Sequence, residues 1–571
     1  MSSTRRTAKA KAAGTGADAA VENVFGQYVL GDFRPSDLID IAGTLARQAA
    51  RQPRAVVDAG VGFAKGLAKV LRGQSDRAPA ASDRRFADPA WKDSRIYGGV
   101  LQGYLELCDA LQRYAQQSGL DPKQVERAEF LMTQIGDALA PTNFLPTNPA
   151  ALRRARETRG ASLLAGLKNF ADDVAKRRPI PSQVDESAFG IGENLALTPG
   201  SVVLCHDMFE LLQYAPQTAQ VRERPIFVVP SIVNKFYVFD IAPGRSVFEY
   251  FVQQGFTVYV MAWRNPKPEH DFWGMPDYID AIDTGVQTAL SISKIDTVNL
   301  WAVCGAGPLA TSLVGYYTAT KQQKVNSLLL FVSPLDMDAM SDAPNIGAFV
   351  DQKAMPIVRK EIRKKRMSAR QFTLLFAMLR ANELIWNYWV NNYLMGIKPT
   401  AFDILYWNGD GTGMTAQYNY DFSRFVETNP LVTPGEMTVH GQAIADLKDL
   451  GIDSYVLGAA NDHLCVWHGV YRSAQLLGKR SQFVLGNSGH IQTIVCPPSN
   501  PKASYFTNAK LPASSAEWLE TATRHQGSWW DHCVAWTHAR AGKLVEAPRQ
   551  AGNASYPPIG PAPGTYIHDR V

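Results

Sequence analysis

The stretch Asn299-Leu-Trp-Ala-Val-Cys-Gly-Ala-Gly-Pro308 decides how this chain is read. An apolar run rich in β-formers stops at Cys304, small residues follow, and an apolar run of helical character then begins. A strand that ends on a cysteine and passes at once into a helix leaves the thiol on a tight corner.

Around this corner, short apolar runs alternate with helical patterns. Predicted strands are Ser201–Leu204, Ile226–Val229, Thr257–Met261, Val298–Val303, Leu328–Val332, Ser454–Leu457 and Gln482–Leu485. Helical patterns fall between several of them, at Arg245–Gln254 and Tyr278–Ile292. Such alternation implies a parallel sheet covered on both faces. Between Val332 and Ser454 no further strand of this kind is predicted. This gap holds a basic segment, Val358–Arg370, and an aromatic one running through Phe372, Phe376, Trp386, Trp389 and Tyr393. The aromatic segment reads first as buried helical core, and second as a lid over the carboxyl ends of the strands.

On the N-terminal side the expected organisation is a disordered tail over 1–20 and a helical domain over 21–195. Phe63, Leu67, Val70 and Leu71 repeat at helical spacing, as do Leu101, Tyr104, Leu105, Cys108 and Leu111, with a polar linker over 72–90. The catalytic domain is expected over 196–571, with an insertion at about 333–430. From Leu544 onward Pro and Gly predict irregular structure.

Composition excludes several function classes. The chain has 571 residues, 19% of them charged, and a net charge of +5, too small for its length to call for nucleic acid. Six cysteines without CxxC pairing or zinc spacing argue for a reduced compartment and no metal site. The Ala/Lys/Arg-rich start lacks the apolar core of an export signal, and no run reaches transmembrane length. The expected location is cytoplasmic.

A nucleophile at such a corner needs a base, and the base needs a partner that fixes its tautomer. In an α/β-hydrolase these follow in the order nucleophile, acid, histidine. After Cys304 two stretches match: Val456-Leu-Gly-Ala-Ala-Asn-Asp462-His463 and Phe483-Val-Leu-Gly-Asn-Ser-Gly-His490. Each places its polar residue just past a predicted strand, at the sheet edge where such folds gather their chemistry. Taken singly, each has a blander reading: a structural buried cysteine, a turn aspartate, a loop histidine. His463 and His468 compete with His490 for the base, but they follow the acid too closely for this topology. The oxyanion hole is expected at the backbone N–H groups of Gly305 and Val233, since Pro230 has none to donate. An acyl group on a thiol stays activated, so a hydroxyl attacking it forms an ester. If that hydroxyl belongs to another hydroxyacyl thioester, repetition makes a polyester.

From about Phe86 to its C-terminus the chain resembles the polyhydroxyalkanoate synthases. The resemblance rests on Asp83-Arg-Arg-Phe-Ala-Asp-Pro-Ala-Trp91, Thr147-Asn-Pro-Ala-Ala-Leu152, Asn234-Lys-Phe-Tyr237, Trp263-Arg-Asn-Pro266, Phe402-Asp-Ile-Leu-Tyr-Trp407, Asp462-His463, Ser488-Gly-His490 and Gly527-Ser-Trp-Trp530. The length is similar to that of the single-subunit members. The resemblance implies an α/β-hydrolase fold with an inserted, mobile cap and a helical N-terminal domain. It implies a homodimeric, granule-associated enzyme that converts (R)-3-hydroxyacyl-CoA to polyester and releases coenzyme A. By the same analogy Cys304 carries the growing chain, His490 is its base, and Asp462 assists His490 or activates the incoming hydroxyl. No cofactor is expected beyond the coenzyme A of the substrate. His463, Lys235 and Arg264 are candidates for holding that substrate.

The chain departs from the family pattern at its nucleophile. The family has Gly-x-Cys-x-Gly-Gly, whereas this chain has Ala302-Val-Cys304-Gly-Ala306-Gly307 followed by Pro308. Ser231 replaces a second proline in the oxyanion loop. Two rival readings follow: a thiol-dependent ester or polyester hydrolase on the same fold, and a non-catalytic granule-coat protein with a degenerate site.

Overall fold

The structure, a computed structural model, describes residues 52–120, 122–341, 359 and 365–570. The expected tail over 1–20 and nearly all of the basic run before Lys365 lie outside the described residues.

Two compact units emerge. One comprises the described residues up to Asp185 together with Thr373–Ala401. Its longer helices among the described residues include Pro53–Leu71, Arg95–Gln116, Pro122–Ala138, Pro149–Glu157 and Ala161–Ala175. Ser94 and Asn148 start two of them, each accepting a backbone N–H of the first turn on its side-chain oxygen. The predicted linker over 72–90 is partly built into the core, where Phe86 is buried against Trp91 and Tyr104. The aromatic segment joins this unit. Tyr393 meets Phe170 edge to face, and Trp389 donates its indole N–H to the Asn143 carbonyl. Gly166 allows the close approach, because a Cβ there would lie 1.9 Å from the Tyr393 carbonyl oxygen. The expected insertion is therefore shared between the two units.

The second unit comprises Glu186–Phe372 and the described residues from Phe402. It is built on one mixed sheet. Its strands are β1 Gly200–Cys205, β2 Phe209–Tyr214, β3 Ile226–Val229, β4 Val258–Trp263, β5 Val298–Val303, β6 Val325–Phe331, β7 Asp453–Ala459, β8 Ser481–Gly486, β9 Ser504–Thr507, β10 Thr523–Gln526 and β11 Gly560–Pro561. The spatial order is β10-β9-β8-β7-β6-β5-β3-β4-β2-β1-β11. From β4 through β3 to β8 all neighbours run parallel. The flanking pairs are antiparallel.

The seven predicted strands are all present. Those that went unpredicted lie toward the two edges. Strand β2, Phe-Glu-Leu-Leu-Gln-Tyr, is buried along its whole length, so it shows no alternation of polar and apolar residues. The end of the chain is less irregular than expected. Leu544–Glu546 pairs with Gln220–Arg222, and β11 pairs with β1. Among the described residues no helix is long and apolar enough to cross a membrane.

Candidate active site

Parallel neighbours end on one edge of a sheet, so β5, β7 and β8 deliver their C-terminal residues to the same side. Cys304 directly follows β5, Asp462 lies three residues past β7, and His490 lies four past β8. Strands spaced about 4.8 Å apart leave β5 and β8 roughly 14 Å from each other. The loops after β7 and β8 must close that gap, and they do so through hydrogen bonds. Asn461 N–H donates to the Ser488 carbonyl at 3.0 Å, and Ala460 N–H to the Gly486 carbonyl at 2.8 Å.

Cys304 stands at φ +51°, in the left-handed region that a residue with a Cβ rarely adopts. Such a conformation costs about 1–3 kcal/mol and persists only where its surroundings enforce it. Here Cys304 N–H donates to the Phe331 carbonyl at 2.9 Å. Its own carbonyl accepts from Gly307 N–H at 3.0 Å and from the Ser333 hydroxyl at 2.5 Å. Gly307 is needed at this corner, since a Cβ would come within 1.7 Å of Ser333 Oγ. Ala302 and Ala306 are both completely buried, so their methyl groups are packed into the corner. Pro308 occupies the first turn of helix Ala306–Ala319, where no intrahelical partner awaits an N–H.

His490 opens the short helix His490–Ile494. Its Nδ1 lies 2.6 Å from Asp462 Oδ2, and both side chains are buried. The other oxygen of Asp462 accepts two backbone N–H groups, from Leu464 at 2.8 Å and Cys465 at 2.9 Å. The carboxylate is thus held at both oxygens, and Nε2 of His490 is left without Asp462 as its partner.

The electrostatics favour charge separation. Burial pushes His490 down, but the Asp462 charge, the Asp462 hydrogen bond and the contact with Cys304 outweigh it and raise the imidazole to about 10. Cys304 is held well below the ordinary thiol value. The hydrogen bond from Cys465 contributes most, burial opposes it, and the hydrogen bond and charge of His490 add to the lowering. Both shifts favour a thiolate beside an imidazolium over the neutral pair.

Cys465 is the residue that sequence reasoning missed. Its sulfur lies 3.9 Å from that of Cys304, and its own thiol is driven far upward by that neighbour and by burial. The available signal was its place three residues after the acid, but nothing in the sequence sets two sulfurs side by side. Asp462, Cys465 and His490 also bring one ligand atom each to within 4.8 Å of one another.

The other expected site residues divide. Gly305 is the N-cap of the helix after the nucleophile. Val233 lies on the loop after β3, where its carbonyl accepts from Thr412 N–H at 3.2 Å. His463 adjoins the acid and is half-buried. Two substrate-binding candidates are engaged within the protein. Lys235 is 5% exposed, and its ammonium donates to Asp410 Oδ1 at 2.8 Å and to the Ile567 carbonyl at 2.6 Å. Burial then makes it an internal strut. Arg264 donates to the Asp207 carbonyl at 3.0 Å and stacks over the Tyr566 ring at 4.1 Å, which engages it within the protein.

Comparison with known proteins was made against this geometry. Residues 82–251 match the family model described as "Poly-beta-hydroxybutyrate polymerase (PhaC) N-terminus", and residues 225–495 match "alpha/beta hydrolase fold". "Poly(3-hydroxyalkanoate) polymerase 1" of Ectopseudomonas oleovorans is 42% identical over 96% of this chain and 98% of its own length. "Poly(3-hydroxyalkanoate) polymerase 2" of the same organism is 40% identical over 94% of this chain and 95% of its own. "Poly(3-hydroxyalkanoate) polymerase subunit PhaC" of Cupriavidus necator is 36% identical over 87% and 85% respectively.

Proposed function

This chain belongs to the poly(3-hydroxyalkanoate) polymerase family, and from that membership we propose that it builds polyester through a thioester on Cys304. It is an acyltransferase with an α/β-hydrolase fold. The substrate is (R)-3-hydroxyacyl-CoA and the products are polyester and coenzyme A. The observation that supports the site assignment is the buried 2.6 Å hydrogen bond between Asp462 and His490, together with the lowered Cys304 thiol that His490 helps to hold.

The Cys304 thiolate attacks the thioester carbonyl of the substrate. The N–H groups of Gly305 and Val233 receive the oxyanion. As the tetrahedral adduct collapses, the carbon–sulfur bond to coenzyme A breaks and the leaving sulfur takes the His490 proton. Acyl-Cys304 and neutral His490 remain. The 3-hydroxyl of a second hydroxyacyl-CoA then attacks this thioester and gives its proton to His490, and Cys304 leaves as thiolate. The lengthened chain now ends in a CoA thioester, which Cys304 attacks in turn, releasing CoA. Asp462 is committed at both oxygens, which favours its role as the partner of His490 over direct deprotonation of the hydroxyl.

No cofactor enters this scheme other than the coenzyme A of the substrate. We place the enzyme in the cytoplasm, on the granule surface that its insoluble product creates, and as a homodimer. The test is purified protein with 3-hydroxybutyryl-CoA and longer homologues, following CoA release and turbidity together. CoA release with growing turbidity is expected. CoA release with free acid alone would identify a thiol hydrolase, and no release at any chain length a non-catalytic coat protein. Sedimentation of the free enzyme, and its recovery with floated granules, test the dimer and the location.

A further inference from the structure

The polymerisation scheme uses one thiol, yet a second stands beside it. Cys465 sets its sulfur 3.9 Å from that of Cys304. The backbone holds both residues in place. Gly307 and Ser333 grip the Cys304 carbonyl, and Cys465 donates its N–H to Asp462 Oδ1 at 2.9 Å. The two differ in access, because Cys304 is partly exposed and Cys465 is buried. A small oxidant therefore meets Cys304 first. Sulfurs in a disulfide stand about 2.05 Å apart, so this pair must close by about 1.9 Å. Cys465 lies on an irregular bend ahead of helix Trp467–Leu476, where side-chain rotation breaks no strand or helix hydrogen bond. Three other cysteines meet oxygen or nitrogen instead: Cys205 the Tyr566 hydroxyl at 3.4 Å, Cys496 the Asn500 amide at 3.7 Å and Cys533 the Thr537 hydroxyl at 4.0 Å.

We propose that Cys304 and Cys465 form a reversible disulfide when the chain meets a hydroperoxide, and that this bond spares Cys304 from irreversible oxidation. The Cys304 sulfur attacks one peroxide oxygen, the O–O bond breaks, and the leaving oxygen takes a proton as water or alcohol. Cys304 is then a sulfenic acid. The Cys465 sulfur attacks it, the S–O bond breaks, and the departing hydroxide takes the Cys465 proton as a second water. The two thiols lose two electrons and two protons, and the peroxide gains them. Without Cys465 the sulfenic acid would go on to sulfinic acid, which thiols do not reduce, whereas a dithiol returns the disulfide to two thiols. That the bond also halts polymerisation rests on Cys304 carrying the acyl chain.

The experiment uses the full reduced chain without acyl-CoA and reads peptide mass, so its outcome is independent of whether Cys304 forms a thioester. Hydrogen peroxide is the probe. The wild type should yield a peptide linking Cys304 to Cys465, two hydrogens lighter than the separate thiols. Dithiothreitol should then restore iodoacetamide labelling of Cys304 and, in a separate assay, CoA release. In Cys465→Ser and Cys465→Ala the link should be absent and dimedone should trap Cys304 as sulfenic acid. Longer exposure should give sulfinic acid, with most Cys304 labelling lost after dithiothreitol. Far-ultraviolet circular dichroism reports the folding of each variant, and the wild-type link decides the proposal without them. The proposal is overturned if the folded wild type gives oxidised Cys304 with no link, if Cys304 links to another cysteine, or if the folded variants recover Cys304 labelling as the wild type does. A linked wild type that never releases CoA when reduced supports the disulfide and overturns the polymerase reading alone.

Discussion

At Cys304 burial favours the protonated thiol, and two polar neighbours oppose it. The hydrogen bond from Cys465 contributes most to the lowering, ahead of that from His490. Cys465→Ala should therefore shift the acid limb of iodoacetamide alkylation upward, toward the ordinary thiol value. An unmoved limb would assign the thiolate to His490 alone. His490 is raised to about 10, with the Asp462 charge the largest upward influence. Asp462→Asn removes that charge, so the imidazolium deprotonates at lower pH. The alkaline limb of CoA release should move down, and the rate should fall on the order of 10²–10⁴-fold. Cys304→Ala should abolish CoA release while leaving the far-ultraviolet spectrum of the fold intact, and Cys304→Ser should retain little, because a hydroxyl is the poorer nucleophile.

The elements around these residues hold them in unfavourable conformations. The turn from β5 into helix Ala306–Ala319 keeps Cys304 at positive φ because Ser333 and Gly307 grip its carbonyl. Gly307→Ala should drive a methyl into Ser333 and destabilise the fold by about 1–3 kcal/mol. A lower urea midpoint at unchanged slope is the expected reading. The helix carrying His490 is only five residues long, and its carbonyls are held from outside. Trp529 donates to the Thr493 carbonyl at 2.6 Å and Trp530 to that of Ile494 at 3.0 Å. This gives the Gly527-Ser-Trp-Trp530 motif a physical role in placing His490. The strands beside the site were legible from apolar runs and turn residues, because those signals are local. Strand β2 was not, since Glu210 and Gln213 within it are buried by partners far away in the chain.

For the catalytic unit as a whole, the last residues act as a clasp. Strand β11 covers the free edge of β1, Thr565 and Tyr566 donate to the buried Glu210 carboxylate, and the Ile567 carbonyl accepts from Lys235. A chain ending at Ile559 loses all of these. Each buried polar group left without a partner costs about 1–3 kcal/mol. The melting temperature should fall by roughly 5 °C or more, measured by calorimetry, and Glu210→Gln alone should lower it less. An unchanged melting temperature would remove the clasp from the account.

The sequence by itself determined the order Cys304, Asp462, His490, and the position of each just past a strand, because strand ends and tight turns are written in neighbouring residues. It also marked the family, through motifs spread along most of the chain. Only the tertiary structure decided that Cys465 stands beside Cys304, although 161 residues separate them. It likewise buried Lys235, set Arg264 over the Tyr566 ring and gave the aromatic segment from Thr373 to the N-terminal unit. Those outcomes depend on which remote surfaces meet when the sheet closes, and a local pattern of polar and apolar residues carries no record of distance across a fold.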